Sequence, residues 1–153
     1  MEIISYFEKG EPESIASQIR NSDWSGAASL SRLLDSGTFF EKLGKKSRLL
    51  VLMDEGQMAA FCTLAEKDDV PDTELTPWIG YVFTDPKYRG KGCAPELIEF
   101  AEKQALEDGY ENIYISTGHE GLYEKYGYDF YGFLKNKHNQ DSRIYQKKLH
   151  KEN

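Results

Sequence analysis

The chain has 153 residues, 39% hydrophobic and 13% aromatic, with 19 Lys+Arg against 26 Asp+Glu and a formal net charge of −7. This is enough apolar material for one domain with its own core across residues 1–153 and too much for intrinsic disorder, while the acid excess excludes nucleic acid as the main partner, because phosphate binding needs a basic face. Cys62 and Cys93 are too few for a disulfide scaffold, Glu2 and Glu8 break the pattern of a secretory leader, and no run reaches the roughly 18 apolar residues of a membrane span, so a soluble, cytoplasmic protein with no membrane partner is expected.

Ile3-Ile4-Ser5-Tyr6-Phe7 is β-branched and aromatic and reads as a strand. Glu11-Pro12-Glu13 opens a helix with proline at the first helical position and acids at the end that favours them; Ile15, Ala16 and Ile19 form its apolar stripe. Asp23 is placed to cap a second helix carrying Ala27, Leu30, Leu33 and Leu34, with Gly37 as terminator, and Phe39, Phe40 and Leu43 add a further turn. Arg48 to Met53, the turn residues Asp54-Glu55-Gly56 and Gln57 to Glu66 read as a hairpin. An acid-rich loop runs from Lys67 to Glu74. Thr76 to Thr84 is then apolar nearly throughout, as a strand covered on both faces should be.

Asp85 to Pro95 is a loop that opens a helix in which Ala94, Ile98, Ala101 and Ala105 recur at helical spacing, with Gly109 closing it. Ile113 and Ile115 alternate in a strand from Glu111 to Ser116. Thr117-Gly118-His119-Glu120 has capping-box spacing and predicts a short helix to Tyr126, stopped by Gly127. Tyr128 to Leu134 and Ser142 to Leu149 close the chain as a strand pair, and the lysines at 135, 137, 147, 148 and 151 read as a solvated face.

Glycines at 90 and 92 let the backbone approach a ligand closely, and successive N–H groups there, added to a helix amino terminus, make an anion site from main chain. Arg89 and Lys91 raise the local potential. A Walker loop is absent, and Gly90-Lys91-Gly92-Cys93-Ala94-Pro95 departs from a dinucleotide fingerprint by ending in proline. An ordinary strand-to-helix turn is the competing reading.

Arg89-Gly90-Lys91-Gly92-Cys93-Ala94 matches the Arg/Gln-x-x-Gly-x-Gly/Ala signature, and Leu122-Tyr123-Glu124-Lys125-Tyr126-Gly127-Tyr128 matches a Leu-Tyr-Glu-Lys-x-Gly-Phe segment, of the GNAT superfamily of acyl-CoA N-acyltransferases, which the chain resembles over essentially its whole length. The resemblance implies an α/β fold of mixed, α+β type: a three-layer α-β-α sandwich around a mostly antiparallel mixed sheet, splayed at the acyl-CoA site. It implies acetyl transfer from acetyl-CoA to a primary amine of a small molecule or peptide, in a ternary complex, without metal or nucleic acid, and it leaves room for a homodimer. Backbone amides from Arg89 through Gly90, Lys91, Gly92, Cys93 and Ala94 would hold the pyrophosphate. Phe83 and Thr84 would pair with the pantetheine arm, and Tyr123 would hydrogen-bond or protonate the leaving sulfur.

Two departures from the family pattern stand out. Pro95 donates no N–H, though a first helical turn tolerates it, and Ser116 stands where many members carry a cofactor-touching asparagine. Tyr123 also fits a plain core position beside Tyr126 and Tyr128. His119, four residues before Tyr123, would share its helix face and titrates in the range of a general base; a structural histidine at the helix start is the alternative, as is a water relayed to a carboxylate. Two rival functions are a CoA-thioester sensor without turnover and a general nucleotide-binding domain. Glu66, Asp68, Asp69, Asp72 and Glu74 are expected either to attract a cationic amine or to serve as solubilising surface.

Overall fold

Arg48–Asp54 (β2) buries both of its faces: Leu50 and Leu52 face one core cluster, Leu49 and Val51 the other. That double burial is the architecture in miniature. The computed structural model describes residues 1–150, so Lys151 of the expected lysine face lies outside the described residues. A seven-stranded sheet runs between two helical layers. Its strands are Glu2–Ser5 (β1), β2, Gln57–Ala65 (β3), Trp78–Thr84 (β4), Asn112–Thr117 (β5), Asp129–Lys135 (β6) and Asp141–Lys148 (β7), in the order β1-β2-β3-β4-β5-β7-β6. Every neighbouring pair is antiparallel except β4 and β5. The expected mixed, mostly antiparallel α+β sandwich is what forms.

Helix Cys93–Glu107 (α4) covers one face, setting Leu97, Ile98, Ala101 and Ala105 against Leu50, Cys62, Ile79, Ile113 and Ile115. Helices Glu13–Arg20 (α1), Ser25–Ser36 (α2) and Phe39–Leu43 (α3) cover the other, where Ile19, Leu30 and Phe39 meet Leu49, Val51, Phe61 and Phe83. The β2–β3 turn has Glu55 at φ 48° and Gly56 at φ 86°, the left-handed pair whose twist matches a two-residue hairpin.

The central strands place the site. Phe61 of β3 faces Phe83 and Thr63 faces Gly80, with the register broken between them, and opposite that break Tyr81 has φ 48°. This is a β-bulge, which bends a strand and re-aims its side chains. Strand β4 pairs with β5 only at Trp78↔Tyr114 and Ile79↔Ile115. Past Ile79 the two strands part, as the splay expectation required.

Local departures have local causes. Pro12 is the N-cap residue of α1 rather than its first helical residue. Trp24, not Asp23, precedes α2, without a side-chain cap, because its ring turns back over Gly26, where a Cβ would collide with it, to stack on Phe83 at 5.6 Å and 9°. No capping box forms at Thr117. Its Oγ1 accepts instead from the His119 N–H at 3.0 Å, Glu120 lies 3.5 Å from Arg143, and Gly121 takes φ 86°, so only a 3₁₀ turn, Tyr123–Tyr126, follows. Two glycines and a threonine held in β5 leave too little chain to nucleate a helix. Lys147 is not part of a solvated face: its Nζ donates to Glu102 Oε1 at 3.0 Å and to the Tyr126 carbonyl at 2.9 Å.

Candidate functional site

The divergence of β4 and β5 opens a cleft of about 650 Å³. Its walls are β4 from Ile79 to Thr84, the end of β5, Leu122 and Tyr123, and Asp23 and Trp24 from the link into α2; Arg89 and Ala94 close one end. Among the described residues, the sheet edge facing that gap has no partner strand beyond Ile79.

The glycine-rich loop is fixed from both sides. Asp85 donates its N–H to the Ala59 carbonyl at 2.9 Å and accepts the Lys87 N–H on Oδ1 at 3.0 Å, making a 3₁₀ turn over Pro86–Tyr88. Tyr88 donates its hydroxyl to Asp54 Oδ2 at 2.9 Å, and Arg89 Nε donates to the Thr84 carbonyl at 3.2 Å. Gly90 and Gly92 have φ 76° and 78°, a region that side chains strain to enter. A Cβ at either would meet no atom within 4 Å. Their demand for glycine is thus conformational, and the space above them is open. Among the described residues, the N–H groups of Gly90, Lys91, Gly92, Cys93 and Ala94 donate to no protein acceptor. The first amide of α4 to find one is Glu96, bonding the Gly92 carbonyl at 3.2 Å, so Pro95 removes no helix bond.

Around the loop, exposed Lys91 holds its ammonium 5.7 Å from the centre of the Tyr88 ring. Cys93 is buried and its thiol is raised, mainly by desolvation; its Sγ–H lies 3.7 Å from the Tyr88 carbonyl. Phe83 is also buried, its ring packed against Trp24 and Phe61.

Tyr123 satisfies both sequence readings. Its ring packs 6.2 Å from Tyr126 and from Tyr128, inside the core layered on α4, and it is only 6% exposed. Yet it lines the cleft, and among the described residues nothing hydrogen-bonds its hydroxyl. Burial pushes its pKa up to about 12, helped by Cys62, Tyr126 and Asp68, so the phenol stays protonated at ordinary pH. Behind it, Tyr128 donates to Glu102 Oε2 at 2.7 Å, and Lys147 ties Glu102 to the Tyr126 carbonyl, locking the turn that aims Tyr123. Ser116 lines the cleft with its Oγ 2.7 Å from Ser142 Oγ. His119 also lines the cleft but is exposed on a loop, so it does not share a helix face with Tyr123.

Three site features escape the sequence reading. The bulge at Tyr81 sends its hydroxyl to within 3.3 Å of Ser29 Oγ on α2. Trp24 builds a cleft wall. Asp68 folds inward over Gly80, where a Cβ would collide with Oδ1 of Asp68 and stand 3.1 Å from Thr63 Oγ1. The available signal was Gly80 itself, since a glycine inside an apolar strand marks close approach.

Residues 14–128 match the acetyltransferase (GNAT) family model. No curated protein sequence matches the chain. Among solved structures, a GNAT-family protein from Desulfovibrio desulfuricans superposes with a TM-score of 0.72 at 14% identity, covering 97% of this chain and 99% of that one. The aminoglycoside 6′-N-acetyltransferase from Enterococcus faecium gives 0.71 at 14% identity over 100% and 99%. The N-acetyltransferase YhbS from Escherichia coli, crystallised with CoA, gives 0.67 at 21% identity over 97% and 81%. At these identities the likeness is one of fold.

Proposed function

Since the chain belongs to the GNAT acetyltransferase family, we propose that it transfers an acetyl group from acetyl-CoA to a primary amine by direct attack in a ternary complex. The observation that carries this reading is the run of amides from Gly90 to Ala94, without protein acceptors among the described residues, at the Arg89–Ala94 end of a cleft that Tyr123 also lines. Such a run, at the start of a fifteen-residue helix, suits an anion of pyrophosphate size. Arg89 and Lys91 add positive charge there, and the open space above Gly90 and Gly92 admits phosphate oxygens to the backbone.

When bound, acetyl-CoA supplies an activated acyl group on a thiol leaving group. The unpaired edge of β4 at Phe83 and Thr84 offers main-chain groups to an amide-bearing arm. In this reading Tyr123 donates a hydrogen bond to the leaving sulfur. Its pKa of about 12 against about 8.5 for a thiol makes full proton transfer uphill by about 5 kcal/mol, so donation without transfer is its role. The acceptor is a small-molecule or peptide amine entering from the side of Asp23 and Trp24; the aminoglycoside acetyltransferase among the structural neighbours supports the small-molecule class.

Calorimetry with acetyl-CoA, followed by thiol release with kanamycin, spermidine, lysine and a peptide amino terminus, tests the reading. Binding plus amine-dependent release is expected. Binding without release means a sensor, and ATP or NAD binding at least as tightly as acetyl-CoA means a nucleotide-binding domain.

A further inference from the structure

Strand β6 ends the sheet, and among the described residues only β7 pairs with it. Its outer edge is a row of backbone donors and acceptors, a ready template for another strand unless short length, proline, inward charge or a bulge blunts it. Asp129–Lys135 is seven residues long, has no proline, and carries charge only at its two ends. The one bulge lies toward the Asp129 end, between Phe130 and Gly132, and the register is then unbroken from Gly132 to Lys135. A Cβ at Gly132 would meet no atom within 4 Å, so another backbone can come close.

Three of the six large hydrophobic side chains exposed among the described residues stand on this strand: Phe130 and Tyr131 are 47% exposed and Phe133 54%. Phe130 and Phe133 share one face, their ring centroids 5.3 Å apart, and the Arg143 guanidinium of β7 lies 5.5 and 5.1 Å from the two rings. Tyr131 turns to the other face, its ring 6.3 Å from Tyr114. Aromatic rings and arginine are the side chains in which interfaces are enriched.

We propose that the partner for this edge is a second copy of the chain, paired antiparallel along β6 about a two-fold axis normal to the sheet, so that the two seven-stranded sheets become one. Such an axis keeps each face continuous: Phe130 and Phe133 of both copies gather on one side, and the two Tyr131 rings lie on the other. Charge selects both the occupant and the direction. Asp129 and Lys135 stand at opposite ends of β6, so an antiparallel copy sets each beside its opposite, while a parallel copy sets like beside like. Lys135 already meets Asp141 at 2.8 Å, but both are exposed, so that pair is weak and the ammonium can be shared. Three rings of roughly 200 Å² each, about half exposed, offer about 300 Å² per copy. That is more than a third of the about 800 Å² each partner brings to a standard interface, and the backbone edge, the charged ends and Arg143 add to it. Arg143 also reaches Glu120 at 3.5 Å, so the patch extends to the loop that carries His119 into the cleft. A second copy can dock here whatever the cleft binds.

Sedimentation of the full chain from about 1 to about 100 μM tests the pairing, and a dimer is expected at the upper end. Phe133→Glu alters a side chain that the single copy leaves exposed, so it should keep the wild-type circular dichroism and weaken dimerisation by about tenfold or more. Asp129→Lys and Lys135→Asp should each weaken it too, through like charges meeting across the axis. An equimolar mixture of those two should dimerise more tightly than either alone, because both charged contacts of the mixed dimer then join opposite signs. Rescue by mixing separates a lost contact from a lost fold. A wild type still monomeric at about 100 μM overturns the proposal, as does a Phe133→Glu chain that dimerises as tightly as wild type, or a mixture no tighter than its components.

Discussion

Replacing Gly92 separates the conformational role of the loop from its electrostatic one. At φ 78° any L residue pays for the left-handed region, by about 1 kcal/mol, and asparagine and aspartate tolerate it best. No atom lies within 4 Å of the new Cβ, so steric cost adds little. Gly92→Asn and Gly92→Asp should therefore lose similar stability, measured by urea denaturation. They differ in charge. A carboxylate about 4 Å from a phosphate is repelled by about 1 kcal/mol in bulk water and about 4 kcal/mol at the effective dielectric of a protein surface. Gly92 is exposed, and Arg89 and Lys91 offset part of the repulsion, which places the penalty near 2 kcal/mol, roughly thirtyfold in Kd for CoA. Calorimetry at low and at high salt should find the Asp variant weaker than the Asn variant by about that factor, with the gap narrowing as salt rises. Equal CoA affinity for the two variants at low salt would refute the assignment of this loop to the pyrophosphate.

Tyr123→Phe should lower kcat about tenfold or more, leave CoA affinity unchanged and cost little stability, because the lost hydroxyl bonds no group among the described residues; stopped-flow thiol release and thermal unfolding check the two halves. With the phenol held up to about 12, no alkaline loss of rate below about pH 11 should trace to it, so wild-type and Phe pH profiles should be parallel there. Lys147→Met leaves the Glu102 carboxylate, 12% exposed, with only the Tyr128 hydroxyl, and should lower unfolding free energy by about 2 kcal/mol in urea, partly restored by adding Glu102→Gln. Asp68 titrates higher in the folded chain, at about 8, than the ordinary 3.8, so the native state binds its proton more tightly and stability falls as pH rises through that window. Asp68→Asn should flatten that slope and melt higher than wild type at roughly pH 9, while a parallel melting profile would show that the carboxyl is not held as the structure describes.

The elements were legible wherever a period or a punctuating residue marked them. The double burial of β2 followed from an unbroken apolar run, the β2–β3 turn from Asp54-Glu55-Gly56, and the loop into α4 from glycines at 90 and 92 whose left-handed angles no other residue adopts as easily. What the pattern missed depends on contacts between segments far apart in sequence. Asp23 looked like a cap because residue type favours it, but the stack of Trp24 on Phe83, across about sixty residues of chain, decides where α2 begins. Threonine and glutamate at 117 and 120 had capping-box spacing, but Thr117 was already committed to β5 opposite Arg143. Lys147 read as solvated because its partners, Glu102 and the Tyr126 carbonyl, belong to other elements. Among five acids in one loop, only the bare Cα of Gly80 distinguishes the one that turns inward.

The seven strands are in effect two plates, β1 to β4 and β5 with β7 and β6, stitched edge to edge by two residue pairs at Trp78 and Ile79. So short a seam carries little of the stiffness between them. Helix α4 touches each plate: Leu97, Ile98 and Ala101 share one buried cluster with Leu50, Cys62 and Ile79 of the first and with Ile113 and Ile115 of the second, and Glu102 accepts from Lys147 of β7 at 3.0 Å. The helix that begins at the glycine-rich loop thus also bridges the seam, so a larger side chain at fully buried Ala101 should be felt at the cleft although Ala101 lines no part of it.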